Sequence, residues 1–198
     1  PEEIASLRDE VDLLSRLITD LRLLTLAEAG QLKLDKTMVP VDQMVDHAIE
    51  GFHMQAAEQK VTLVADIEGD LPPILVDADR MNMVLRNLIS NALRYTPENG
   101  KITIQASHGN GDTVIQVTDT GSGIRPADLP HVFDRFYRAD KSRARSNGGS
   151  GIGLAIVKQL IEAHNGQIRA ESPLFSTKDG NLFGSRFIIT IPERTIAI

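Results

Sequence analysis

The sequence predicts an α/β two-layer sandwich preceded by one long, coiled-coil-like helix. Two observations carry this prediction. Up to Gly30, apolar side chains recur at the spacing of one helix face. Beyond residue 40, segments with helix periodicity alternate with segments with strand periodicity, and two of the strands are joined by a strong hairpin sequence. Antiparallel strands with helices between them favour a sheet with helices packed on it.

The composition is that of a folded domain. Of the 198 residues, 41% are apolar and 24% are charged, and the net charge is −6. The negative charge argues against a general nucleic-acid surface, and the absence of cysteine excludes disulfides and thiolate metal sites. No apolar run approaches the ~20 residues of a membrane span. We therefore expect a soluble, cytoplasmic chain. This expectation is compatible with a longer parent protein that is anchored in a membrane.

The first predicted element is a helix from about residue 3 to near Gly30, where glycine suits a helix C-cap. Its apolar residues follow a 3-4 spacing that forms a heptad seam, namely Ile4, Leu7, Val11, Leu14, Ile18 and Leu21. Leu17 and Leu24 widen this face. One interpretation is an amphipathic helix packed on its own domain, and the interpretation we favour is one helix of a multi-helix bundle.

The remaining elements follow in a regular order. Helices are predicted from about Val41 to Glu58, from Asp77 to Arg94 and from Ile152 to Ala163. Strands are predicted near Val61–Ile67, Lys101–Ser107, Thr113–Thr118, Gln167–Glu171 and Ser185–Ile191. The segment between 120 and 150 has little periodicity, and a loop of that length inside a domain is usually functional.

The helix from Asp77 carries two asparagines on one side. Asn87 and Asn91 are four residues apart, and Arg94 and Tyr95 lie one turn further along. Asparagine is unfavourable in the middle of a helix, whereas its amide oxygen is a suitable ligand for Mg²⁺. Arg94 could contact a phosphate. The alternative interpretation is a solvated polar face.

Asp119 ends a predicted strand, and Gly121 and Gly123 follow it directly. Glycine allows a turn with positive φ and a close approach of ligand to backbone. A carboxylate at this point can accept a hydrogen bond from the amino group of adenine, whereas guanine presents an oxygen there. The pattern alone is equally consistent with an ordinary turn.

A second glycine-rich turn, from Gly148 to Gly153, opens into an apolar helix. Backbone N–H groups at a helix N-terminus can bind phosphate. It differs from a Walker A loop because no Lys-Ser or Lys-Thr follows the last glycine. It also differs from a dinucleotide-binding turn, because a polar loop rather than a strand precedes it.

Aromatic and cationic residues lie between the two turns. Phe133, Phe136 and Tyr137 are expected to fix one end of the loop to the body of the domain. Positive charge for a triphosphate comes from Arg138, Lys141, Arg143 and Arg145. For Arg143 and Arg145 we favour the simpler interpretation of solvated charges.

In their order and spacing, four segments resemble the N, G1, F and G2 boxes of bacterial two-component sensor histidine kinases: Asn87–Ala92, Asp119–Ile124, Val132–Arg138 and Gly149–Leu154. The resemblance covers roughly residues 40–192, the catalytic and ATP-binding domain. It implies a Bergerat fold, a mixed sheet packed on helices, with ATP beneath a flexible lid at about 121–150. It also implies a partial dimerisation and phosphotransfer segment at 1–38 and a catalytic domain at 39–198.

The resemblance implies specific roles. Asn91 would bind Mg²⁺ with help from Asn87, and the catalytic set would be Asn87, Asn91, Arg94 and Arg138. Gly184-Ser185 stands where the family usually has Gly-Thr near adenine. Residues implied to contact ATP are Asn91, Arg94, Tyr95, Asp119, Gly121, Gly123, Ile124, Phe133, Tyr137, Lys141, Gly149, Ser150, Gly151, Ile152, Gly153, Leu154 and Ser185.

The N-terminal helix, ending in Leu24–Gly30, looks like the second helix of the family's dimerisation hairpin. The first helix and its phosphoacceptor motif are absent from the sequence. We interpret all five histidines as ordinary polar positions: His47, His53, His108, His131 and His164. The implied partners are a second copy of the parent, through the dimerisation helices, and a response-regulator receiver domain.

Two other functions remain open. The ATPases of the gyrase, heat-shock chaperone and mismatch-repair branch of this fold place a glutamate base where this chain has Asn87. An amide cannot activate water, so the sequence favours phosphoryl transfer to a protein histidine, whose imidazole is its own nucleophile. The other alternative is a nucleotide-dependent binding or dimerisation module without catalysis.

Overall fold

The computed structural model of the chain describes residues 2–138, 150–176 and 182–193. Its helices are α1 (Glu2–Glu28), α2 (Val41–Glu50), α3 (His53–Glu58), α4 (Ala78–Tyr95) and α5 (Gly153–Ala163). Its strands are β1 (Thr37–Val39), β2 (Thr62–Ile67), β3 (Ile74–Val76), β4 (Lys101–Gly109), β5 (Asp112–Asp119), β6 (Gln167–Glu171), β7 (Phe175–Ser176), β8 (Leu182–Phe183) and β9 (Ser185–Pro192). Each predicted element has a counterpart, although one helix is divided in two.

Five strands form a mixed sheet in the order β2-β4-β5-β9-β6. β2 runs parallel to β4, and the other neighbouring pairs are antiparallel. Alternate residues are buried, for example Ile102 and Ile104 in β4 and Ile115 and Val117 in β5. Because side chains alternate between the faces of a strand, one face of the sheet is covered. The apolar sides of α2, α4 and α5 join the same core, which confirms the predicted two-layer sandwich.

The prediction of one helix from Val41 to Glu58 is wrong. The helix breaks at Gly51 and Phe52, between α2 and α3. Phe52 is buried, and the guanidinium carbon of Arg86 on α4 lies 5.2 Å from the centre of its ring. A Cβ on Gly51 would come within 2.8 Å of an Arg86 nitrogen. Gly51 and Phe52 therefore both lie against Arg86 of α4 at the break, and glycine, a weak helix former, stands where α2 ends.

The structure contains two small two-stranded sheets that were not predicted from the sequence. β1 pairs with β3, and β7 pairs with β8. The strands of each pair have only two or three residues, which is too short for a recognisable alternation of apolar and polar residues.

His164 is not an ordinary polar position, so that prediction is wrong. Its ring is buried at the end of α5, where Nδ1 lies 2.7 Å from the Leu160 carbonyl oxygen and Nε2 accepts a hydrogen bond from the Asp77 N–H at 3.0 Å. Asp77 is the N-cap of α4 and also accepts hydrogen bonds from the N–H groups of Arg80 and Asp35. His164 therefore joins the C-terminus of α5 to the N-terminus of α4.

α1 spans nearly its predicted range. Among its described side chains, those near the C-terminal end are buried and those nearer the N-terminal end are exposed. Leu23 and Leu24 are buried in the core next to α5. Val11, Leu14, Ile18 and Leu21 are exposed by 58%, 58%, 67% and 41%. The domain therefore leaves this part of the seam uncovered. Within the residues that the structure describes, no helix is long and apolar enough to cross a membrane.

Candidate functional site

The site begins on α4, whose buried stripe fixes which way its polar side points. Met81, Leu85 and Leu88 are fully buried on one side of the helix. Asn87 and Asn91 lie half-buried on another side of the helix, and Arg94 and Tyr95 are exposed near its end. The Asn87 amide nitrogen donates to the Met83 carbonyl at 2.9 Å, so its Oδ1 is left to accept.

Asn87 contacts the glycine-rich turn that starts α5. A Cβ on Gly153 would lie 2.7 Å from Asn87 Oδ1, which is closer than real Cβ contacts allow. A larger residue at 153 would therefore have to displace the Asn87 side-chain oxygen, and the N and G2 boxes meet at this point. Ile152 is buried as the helix N-cap, and its N–H donates to Ser150 Oγ at 3.3 Å.

Gly151 connects this turn to the F box. Its φ is +71°, and its carbonyl accepts a hydrogen bond from the Phe136 N–H at 2.9 Å. A Cβ there would lie 2.9–3.0 Å from the Phe136 backbone. Both the conformation and the space favour glycine at this position.

Asp119 is a buried carboxylate at the end of β5, with 3% of its surface exposed. One oxygen accepts from the Gly121 N–H at 2.8 Å, and the other accepts from the Ser185 hydroxyl at 2.6 Å. Burial raises the pKa of Asp119, while the hydrogen bonds from Ser185 and Gly121 oppose that rise. A carboxylate has about four acceptor positions, so these hydrogen bonds leave part of its acceptor capacity unused.

The turn after Asp119 is joined to the sheet and to α4. The Gly184 N–H donates to the Gly121 carbonyl at 2.8 Å, and the Ser122 N–H donates to the Tyr95 carbonyl at 3.2 Å. A Cβ on Gly121 would lie 2.6 Å from that same Tyr95 oxygen. The structure thus brings the C-terminal end of α4 and the G1 box together with Ser185.

The F box is fixed by fewer contacts than the sequence predicts. Phe133 meets Phe187 edge to face at 6.1 Å between ring centres. The Tyr137 hydroxyl donates to Asp128 at 2.7 Å. Phe136, in contrast, is 61% exposed, so the prediction that all three aromatic residues fix the loop to the body is wrong for Phe136.

Asp128 is a residue that the sequence predictions missed. It is buried and accepts hydrogen bonds from both Arg125 and Tyr137. These two partners, Arg125 first, lower the pKa of its carboxyl. Asp128 therefore joins Arg125 to Tyr137 within residues 121–138, the first described part of the predicted lid. Arg125 and Asp128 are three residues apart, but their sequence gives no indication of the contact with Tyr137.

The other predicted site residues divide into two groups. Ile124 and Leu154 are partly buried against the core, and Arg138 is half-buried at the last described residue before the gap. Lys141 and Gly149, with Arg143 and Arg145, lie outside the described residues.

The donor set determines which metal chemistry fits. In residues 2–138, 150–176 and 182–193, no group of three His, Cys, Asp or Glu side chains is placed to hold a metal. The neutral amides of Asn87 and Asn91 are hard oxygen donors of the kind that Mg²⁺ accepts when phosphate oxygens supply other ligands. The site therefore fits a magnesium–phosphate complex better than a resident metal.

Comparison with known proteins gives three informative similarities. The sensor histidine kinase CusS of Escherichia coli O157:H7 is 36% identical over 94% of this chain, which spans 36% of that protein's length. Full-length ShkA in complex with AMPPNP has a TM-score of 0.83 at 27% identity, covering 96% of this chain and 38% of that one. The histidine kinase ThkA in complex with the response regulator TrrA shares the fold, with a TM-score of 0.69 at 22% identity, covering 93% and 49%.

The family match covers the site itself. Residues 76–195 match the family described as histidine kinase-, DNA gyrase B- and HSP90-like ATPases. This range contains α4, the Asp119 turn, the F box and the glycine-rich start of α5. The chain therefore belongs to the family of histidine kinase-, DNA gyrase B- and HSP90-like ATPases.

Proposed function

We propose that this chain is the ATP-binding catalytic part of a sensor histidine kinase. It would transfer the γ-phosphoryl group of ATP to a histidine on a dimerisation helix, for onward transfer to a response-regulator aspartate. One observation carries the proposal: Asn87, an amide and not a base, contacts the glycine-rich start of α5 in a site that also contains the buried Asp119.

The adenine end of the site is built around Asp119. Its carboxylate has acceptor capacity beyond Gly121 and Ser185, and the exocyclic amino group of adenine is a matching donor. Because the carboxylate is buried, a base without a matching donor is disfavoured: leaving a buried acceptor unsatisfied costs roughly 1–3 kcal/mol. We therefore expect selection for ATP over GTP.

The phosphate end lies between α4 and α5. Backbone N–H groups of the glycine-rich turn and the positive end of the α5 dipole favour an anion there, and Arg94 and Arg138 supply charge. Asn91, with Asn87, would hold Mg²⁺, which neutralises phosphate charge when bound. The remaining residues proposed from the family resemblance would shape the pocket around the nucleotide.

The proposed phosphoryl acceptor, a protein histidine rather than water, is inferred from the absence of a basic group at Asn87. An amide cannot take a proton from water, whereas a neutral imidazole attacks the γ-phosphorus directly. The new bond is nitrogen to phosphorus, the bond to the bridging oxygen breaks, and ADP leaves with that electron pair. The relatives' names support this branch, because CusS and ThkA are both histidine kinases.

Partner proteins are proposed on two grounds. The exposed seam of α1 suits a partner helix in a dimer of the parent, which would make residues 1–38 a dimerisation segment and 39–198 the catalytic domain. The complex of ThkA with the response regulator TrrA supports a receiver domain as the downstream partner.

Calorimetry of the chain with Mg·ATP and Mg·GTP tests the binding half. We expect a clear preference for ATP that Asp119→Ala removes, with a loss of roughly 1.5–3 kcal/mol. Asp112→Ala is the matched control, because Asp112 lies at the other end of β5. Equal affinity for the two nucleotides would rule out the adenine assignment.

Incubation with γ-labelled ATP tests the catalytic half. We expect no acid-labile label on this chain alone, and label on a separately supplied dimerisation hairpin that carries the acceptor histidine. Hydrolysis at about 1 per second or faster would instead support the ATPase branch. Nucleotide binding without label on the hairpin would indicate a binding module.

A further inference from the structure

Ser172 lies one residue beyond β6, outside all four boxes, and its half-buried hydroxyl links two other segments. It donates to the Gly184 carbonyl at 2.8 Å and accepts from the Ile124 N–H at 2.7 Å. A serine hydroxyl can do both at once. A single side chain thus joins the turn after Asp119 to the residue that precedes β9.

These two partners flank the Asp119 carboxylate. Gly184 donates its N–H to Gly121, and Ser185, the next residue, donates its hydroxyl to Asp119. Gly121 in turn donates to the other oxygen of Asp119. Asp119, Gly121, Gly184 and Ser185 therefore form a closed ring of hydrogen bonds and chain connections, which Ser172 holds from outside.

The spacing shows how directly Ser172 supports this ring. Gly123 has a φ of +72°, and a Cβ there would lie 3.1 Å from Ser172 Oγ and 3.4 Å from the Gly184 carbonyl. The turn therefore lies directly on the hydroxyl, too close for a water molecule between them. Gly184 has a φ of +82°, a conformation that glycine adopts more easily than other residues.

We propose that Ser172 is a positioning residue for the adenine end of the site. Its hydroxyl fixes the turn 121–124 relative to Gly184 and Ser185, so that Asp119 and Ser185 face the nucleotide base. This inference rests on the proposed function, since it assumes that Asp119 binds adenine. Ser172 itself touches only backbone groups in the contacts that support the proposal.

Replacing the hydroxyl tests the proposal in the intact chain. Ser172→Ala leaves the Ile124 N–H and the Gly184 carbonyl without this partner. We expect calorimetry to show Mg·ADP binding weakened by about tenfold, the equivalent of one hydrogen bond. Ser107→Ala, a half-buried serine on β4, is the matched control and should bind as the parent does.

A second nucleotide separates positioning from general damage. Competition with Mg·GDP should change little in Ser172→Ala, because guanine does not use the Asp119 acceptor. The ratio of ADP to GDP affinity should therefore fall. Equal weakening of both nucleotides would indicate a merely structural role, and unchanged ADP affinity would exclude any role in the site.

A conservative variant covers the case in which alanine does not fold. Ser172→Cys places a larger sulfur, with weak donor and acceptor capacity, at the same position, so we expect ADP affinity below that of the parent, and affinity equal to the parent's would overturn the proposal. If the parent chain itself fails to bind ADP, the proposed function fails. The Ser172 result is therefore distinguishable from that outcome.

Discussion

Asp119, which we propose binds adenine, shows how a residue suited to binding can oppose stability. Its carboxylate is buried, and burial raises its pKa. A carboxyl with a raised pKa in the folded state destabilises that state as pH rises from its unfolded value, about 3.9, through the folded value. The charged form of Asp119 is therefore the form that folding disfavours, and it is the form that the proposed hydrogen bond from adenine would favour.

We expect Asp119→Asn to fold at least as stably as the parent at pH 7. The amide oxygen can still accept from Gly121, and the amide nitrogen can donate to Ser185 Oγ, without a buried charge. Urea unfolding measures the stability and calorimetry measures Mg·ATP binding, which should be weaker. A large loss of stability would mean that the carboxylate charge itself holds this turn.

His164 is expected to make stability depend on pH. Burial is the main cause that lowers the pKa of this histidine, and the positive charge of Lys36 lowers it further. The hydrogen bond to the Leu160 carbonyl and the negative charge of Asp77 act in the opposite direction. The unfolded state therefore binds the proton first. Stability should be complete above the unfolded pKa of about 6.5 and should fall as pH decreases below it.

Urea titrations between pH 8 and pH 5 measure this effect of His164. The parent should lose more stability over the range than His164→Gln, which cannot titrate. His53→Gln is the matched control, because His53 is exposed, and should keep the slope of the parent. Parallel slopes for the parent and His164→Gln would contradict the assignment.

At the scale of elements, long periodic segments were predictable and contacts between distant segments were not. The buried stripe of α4 follows directly from the helical spacing of Met81, Leu85 and Leu88. The break at Gly51 lies against Arg86 from another helix, a contact that the local sequence does not indicate. Ser172 and Ile124 are 48 residues apart, and neither residue type alone indicates that they meet.

The contact between α4 and α5 gives a prediction at this scale. Gly153→Ala should improve the first turn of α5, since alanine is the better helix former by up to about 1 kcal/mol. The new methyl group would displace Asn87 Oδ1, which lies 2.7 Å from its position. We expect little loss of thermal stability but Mg·ATP affinity lower by roughly tenfold.

The control for Gly153→Ala is Gly109→Ala at the end of β4, where a Cβ would meet nothing within 4 Å. Calorimetry and thermal unfolding of both variants, side by side, separate binding from folding. Unchanged affinity in Gly153→Ala would show that the Asn87 oxygen does not act in the nucleotide site.

At the scale of the whole molecule, the fold covers one end of α1 and leaves the other exposed. Leu23 and Leu24 are buried, and the contact is strengthened by an ion pair between Glu28 and Arg135 of the F box. The sequence predicted a seam that needs a partner, and the domain does not supply one for Val11 to Leu21. The helical spacing in the sequence predicts that this seam needs a partner, but it does not specify which helix or which second copy that partner is.

The exposed seam predicts self-association of this chain. Burying a large apolar side chain is worth roughly 1.5–3 kcal/mol, so several of them in water favour pairing with a second copy. Leu14→Glu with Leu21→Glu, both at exposed positions, should give a monomer in sedimentation experiments. Nucleotide binding should persist, because the described site begins at Asn87 on α4.

A matched pair of changes tests whether the seam or merely the added charge is responsible. Ser15→Glu with Thr19→Glu adds the same two negative charges to α1 beside the seam, at positions where both parent residues are exposed. This variant should associate as the parent does. A monomeric parent would contradict the prediction, and loss of Mg·ATP binding with the leucine changes would mean that α1 belongs to the catalytic domain.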